Sequence, residues 1–156
     1  ASTPTRIVID LTTMSNESIL LPVETRQIYH PYSDKLTAGV TSYCLEEIMA
    51  EKIRSLFQRL RPRDIYDIWH LAGRVNPDAV TCILHRKCGC KEVVPDGSVL
   101  AGKREQFSAS WNASLRHQMK VIPNFEEAFE RALYCVEMYT QRSGEVPQDR
   151  CGDRSD

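Results

Sequence analysis

Pro62 stands between two apolar stripes, and no single regular helix runs through it. The ring removes a backbone N–H, and the residue before it is pushed toward extended geometry. On the N-terminal side, Leu45, Ile48, Met49, Ile53, Leu56 and Leu60 fall at three- and four-residue steps, the period of one helix face. On the C-terminal side, Ile65, Ile68, Trp69 and Ala72 form a second stripe that stops at Gly73. The sequence therefore predicts two helices meeting at a short, proline-fixed corner. The first has Ser42 as a possible cap, and the second begins directly after the proline.

Elsewhere the patterns are shorter. Arg6 to Leu11 alternates, with Ile7, Ile9 and Leu11 on one face and Val8 and Asp10 on the other, as a strand does. Further extended stretches are predicted around Arg26 to Tyr29, before a His-Pro-Tyr-Ser-Asp turn at 30–34, and around Val40 to Tyr43. Beyond Asn76-Pro77 a helical pattern weakly resumes, and Lys87 to Gly102, rich in turn formers, reads as a loop or irregular hairpin. Arg104 to Met119 is compatible with a helix. Asn124 with Glu127 makes a capping box for a last helix whose stripe is Phe125, Phe129, Ala132, Leu133 and Val136. Residues 141–156 are polar and without apolar period, so a disordered tail is expected. The fold class expected is α+β: short strands in 1–44, a mainly helical part in 45–140, and the tail.

At 156 residues with 42% hydrophobic content, one compact domain can bury roughly 70% of the surface its unfolded chain exposes. The formal charge of -1 excludes a global field that would recruit nucleic acid or membrane, so any such partner rests on local charge. No apolar run approaches the roughly 20 residues of a membrane span, and the N-terminus lacks the layout of a signal peptide. No membrane partner is therefore expected, and a cytoplasmic location is. In that setting the six cysteines are expected to be reduced.

Local charge is concentrated beside Pro62. Lys52, Arg54, Arg59, Arg61 and Arg63 fall within twelve residues that hold no carboxylate. Such a run is either a solvated helix face or a phosphate site, with lysine as point charge and arginine as fork. Lys52 sits four residues from both Ile48 and Leu56, so it interrupts the apolar stripe and has to snorkel, find a carboxylate or face a cleft. Asp64 and Asp67, three apart on the second helix, share a face beside its core stripe, and Arg63 is within i+4 reach of Asp67. This spacing fits a bracing salt-bridge network and a ligand site equally. His85, Cys88 and Cys90, with Cys82 nearby, have poor spacing for zinc, and reduced cysteines in a mixed loop are the simpler reading.

Glu-Glu-Ile-Met-Ala-Glu-Lys-Ile-Arg at 46–54, followed by Gln-Arg-Leu-Arg-Pro-Arg-Asp-Ile-Tyr-Asp-Ile-Trp at 58–69, resembles the signature of the AbiEii/AbiGii nucleotidyltransferase toxins of type IV toxin–antitoxin systems. Arg-Ile-Val-Ile-Asp-Leu-Thr at 6–12, His-Pro-Tyr-Ser-Asp at 30–34, and Phe107, Trp111 and Leu115 leading to Pro-Asn-Phe-Glu-Glu at 123–127 extend the resemblance over roughly 6–140. It implies a remnant of a polymerase β-like nucleotidyltransferase sheet followed by helices. It also implies Mg²⁺ as cofactor, an NTP as substrate, an RNA acceptor such as tRNA, and a cognate antitoxin as partner. By analogy Asp10 is the third metal carboxylate, Lys52 holds nucleotide phosphates, Asp64 and Asp67 orient Lys52 or complete the site, and Arg63 binds phosphate or locks Asp67.

One departure from the pattern matters. Such enzymes also use an upstream Gly-Ser or Gly-Gly turn and an Asp-x-Asp pair, and neither precedes Asp10. The expectation is therefore a C-terminal portion of such a protein, processed, excised or incomplete, and inactive in transfer by itself, since a hard cation needs several oxygens. The competing expectation is a non-catalytic helical module whose basic corner binds RNA or a protein.

Overall fold

The computed structural model describes residues 19–28 and 38–141. Among them, a two-stranded antiparallel sheet is followed by six helices, an α+β arrangement. β1 (Glu24–Gln27) pairs with β2 (Gly39–Ser42) in the register Glu24 to Ser42 and Gln27 to Gly39. The two strands fall within a residue or two of the extended stretches expected. The expected strand at 6–11, the turn at 30–34 and the tail beyond 141 lie outside the described residues.

α1 (Leu45–Gln58) buries Met49, Ala50, Ile53 and Leu56 completely. Ser42 does not cap it: that residue is paired in β2, its hydroxyl is buried without a partner, and the helix starts from Cys44, whose carbonyl accepts from Ile48. The helix also stops short of the proline. Arg59 is already extended (φ -151, ψ 155) and Leu60 is 49% exposed, so Leu60 leaves the stripe it matched by spacing. Residues 59–61, with Arg59 and Arg61 extended, form the corner and lead into α2 (Pro62–Leu71), which carries Pro62 in its first turn, where the missing N–H costs nothing. Gly73, at φ +85, follows the end of α2 in the left-handed conformation that glycine accepts without strain.

α3 (Pro77–Gly89) is capped by Asn76, whose side chain accepts from the amides of Asp78 and Ala79. The expected loop at 87–102 is shorter than its turn formers suggested. α3 runs on to Gly89 because Cys88 joins the core, and a five-residue helix α4 (Gly97–Ala101), capped by Asp96, buries Leu100. α5 (Arg104–Leu115) buries Phe107, Trp111 and Leu115, one residue per turn, and ends four residues before the expected Met119. α6 (Phe125–Gln141) buries Ala128, Phe129, Ala132, Cys135, Val136 and Tyr139. Asn124 caps α6 through the Glu127 amide at 3.1 Å, while the Glu127 carboxylate turns to the Trp69 indole N–H.

α2 packs against α1, α5 and α6, and α1 also packs along α3. A polar seam joins α1 to α3 and to the segment before β1. Both Glu47 oxygens accept backbone amides, from Leu20 at 3.1 Å and Leu21 at 3.0 Å, and Lys87 reaches Glu47 at 2.8 Å and Glu51 at 3.3 Å. Among the described residues no helix is long and apolar enough to cross a membrane.

Candidate functional site

The corner between α1 and α2 brings together Lys52, Asp64 and Asp67. Lys52 projects from α1, and Asp64 and Asp67 stand one turn apart at the start of α2. The Lys52 ammonium lies 3.2 Å from Asp64 Oδ1 and 2.5 Å from Asp67 Oδ2. Arg59, in the extended corner, donates to the same Asp64 carboxylate from Nε at 2.9 Å and Nη2 at 3.2 Å. Only 2% of the Asp64 side chain is exposed, against 26% for Lys52 and 33% for Asp67. The buried carboxylate thus anchors two cations, and the lysine sits at the border of protein and solvent.

Burial alone would push the Lys52 ammonium toward deprotonation. The hydrogen bonds and charges of Asp67 and Asp64 outweigh that and hold it above the ordinary lysine value. A lysine kept charged in a half-buried position is a fixed cation, better suited to holding an anion than to taking up a proton.

This cation lines a cleft of about 1100 Å³ between the corner and α5, bordered by Arg61, Arg63, Tyr66 and Ser114. Arg61 and Arg63 are exposed. The i+4 lock of Arg63 on Asp67 does not form: Arg63 Nε reaches the Ser114 carbonyl at 3.4 Å, and Asp67 turns to Lys52. The five-cation run also divides. Arg54 is buried against α3 and pairs with Glu51 and Gln58, because its position on α1 faces away from the corner. Sequence spacing missed Arg59, since the i to i+5 step across a helix break has no fixed geometry. It also missed the Glu47–Lys87 pair, which joins residues forty apart.

The described carboxylates do not fit a divalent metal. Both Asp64 oxygens already face cations, Asp67 is engaged by Lys52, and among the described residues no three His, Cys, Asp or Glu side chains cluster to hold an ion. Asp10, assigned above to metal binding, lies outside the described residues. Cys88 is buried on α3 and burial pushes its thiol up to about 11, while His85 and Cys90 are exposed. Cys44, Cys88, Cys90 and Cys135 are free thiols, in line with the reduced state expected of them.

Compared with known protein families, residues 1–133 match the model described as nucleotidyl transferase AbiEii toxin, type IV TA system. No curated protein and no solved structure matches the chain.

Proposed function

This chain belongs to the AbiEii nucleotidyl transferase toxin family of type IV toxin–antitoxin systems, and from that premise we propose that its α1–α2 corner grips the phosphates of a nucleoside triphosphate. The observation that carries the proposal is the Lys52 ammonium, held between Asp64 and Asp67 at the wall of an open cleft. An ammonium has three donors. Two are taken by the carboxylates, leaving one for a phosphate oxygen. Arg61 and Arg63, exposed in the cleft wall, add charge for the rest of the polyphosphate.

In nucleotidyl transfer an acceptor hydroxyl attacks the α-phosphorus and pyrophosphate leaves, with negative charge spread over the transferring group. Lys52 contributes by meeting that charge in a fixed place, and Asp64 and Arg59 contribute by fixing Lys52. The Mg²⁺ expected in such chemistry would neutralise the triphosphate; its carboxylates have to be others than Asp64 and Asp67, and Asp10 stays the candidate. The acceptor proposed is RNA, tRNA ends included, and the partner proposed is the antitoxin of the system.

The test is equilibrium binding of labelled NTPs, followed by transfer onto RNA when the chain is joined to a Gly-Ser…Asp-x-Asp segment of the same family. Lys52→Ala is expected to weaken triphosphate binding roughly ten- to a hundred-fold, the loss of a charged hydrogen bond, and to abolish transfer. Undiminished binding and transfer in that variant would remove Lys52 from the site.

A further inference from the structure

The far end of α2 opens on a second groove, of about 700 Å³, whose other wall is α6. Flat rings face it: Trp69 and His70 from α2 and Tyr134 from α6, the last 54% exposed. One turn earlier, Tyr66 stacks on His70 with centroids 5.8 Å apart and 21° between planes, and lies 5.8 Å from the Trp69 ring. Tyr66 also lines the Lys52 cleft. Because i, i+3 and i+4 share a helix face, these rings form one strip leading from the first cleft to the second groove.

Charge in the groove favours an anion. Arg131 lies 5.6 Å over the Tyr134 ring, and Arg74 donates to His70 Nε2 at 3.1 Å. Among the described residues neither guanidinium pairs with a carboxylate, while the groove's acids are engaged: Glu130 by Arg104 and Glu127 by the Trp69 indole. The exposed Tyr134 ring and the half-buried Trp69 indole, beside guanidiniums that no described carboxylate neutralises, offer a base a stacking face and a phosphate a fork.

We infer that this groove binds a nucleotide unit of a single-stranded RNA, its base on Tyr134 or Trp69 and its phosphate on Arg74 and Arg131. The strip through Tyr66 carries the strand toward Lys52, a last step that rests on the transferase reading given above. A free nucleoside triphosphate shares this chemistry, and a protein partner would use the same rings, so both enter the test.

A short single-stranded RNA and, separately, NTPs are titrated onto the chain. Trp69 and Trp111 are its two tryptophans, and Trp111 is 2% exposed, so quenching by RNA reports Trp69. The expected result is quenching that weakens with added salt and an affinity for RNA that falls roughly ten-fold in both Tyr134→Leu and Arg131→Ala, with NTP binding unchanged. Lys52→Met is expected to lose NTP binding and retain RNA quenching, so the groove and the cleft fail or succeed separately. Absence of RNA binding, or RNA binding untouched by both groove variants, would overturn the inference in favour of a protein surface. Equal loss of NTP and RNA binding in the groove variants would overturn it in favour of a mononucleotide site.

Discussion

Asp64 has left water and met two cations, and the consequences of changing it follow from that. Its carboxylate takes Lys52 on one side and the Arg59 fork on the other. Asp64→Ala is expected to cost about 1–3 kcal/mol, since Lys52 and Arg59 each lose a charged hydrogen-bond acceptor while Lys52 keeps Asp67 and Arg59 keeps water. Urea unfolding measures this, and a cost below about 0.5 kcal/mol, the range of ordinary surface changes, would refute the anchoring role. Lys52→Met is different in kind, because Asp64 keeps Arg59, Asp67 stays partly in water, and the methionine stem fills the gap in the apolar stripe. Stability equal to or above that of the parent is expected, with phosphate affinity gone. Lys52 was legible in the sequence because a charge at a core step is an anomaly. Arg59 was not, because its reach to Asp64 depends on how the corner residues 59–61 turn.

At the scale of elements, the helices were legible where apolar period, proline and cap agreed. Asn124 caps as its spacing predicts, and Asn124→Ala is expected to lower stability by about 1 kcal/mol in denaturant unfolding. Leu60 and Ser42 misled because each satisfied a local rule that tertiary structure overrode: the corner needed extended residues, and β2 needed Ser42. The Glu47–Lys87–Glu51–Arg54 seam between α1 and α3 was invisible, since nothing in spacing aligns two separate helices. Burial disfavours the charged Glu51, but Arg54 and Lys87 outweigh it and hold its carboxyl below the usual glutamate value. A group lowered in the folded state stabilises above its unfolded pKa, and that contribution is lost as pH falls through the folded value. Lys87→Met is therefore expected to cost about 3–5 kcal/mol near neutrality and to move the onset of acid unfolding to higher pH. An acid-unfolding curve with the parent's onset would contradict the assignment.

Across the whole molecule, α2 is the shared wall. Its N-terminal end carries the acidic pair of the cation corner and its C-terminal end the aromatic groove, while α1, α5 and α6 fix it from three sides. The sequence could name this helix as a carrier of the signature but not show that both its ends open on clefts, because that depends on where α5 and α6 pack. The corner is expected to hold nucleotide phosphates rather than a metal, as its carboxylates are spent on Lys52 and Arg59. The most direct measurement is NTP affinity and thermal stability of the parent and Lys52→Met, taken side by side. An affinity loss of roughly ten-fold or more at undiminished stability is expected of Lys52→Met; unchanged affinity with a lowered melting temperature would refute the phosphate role and leave the corner as a structural brace.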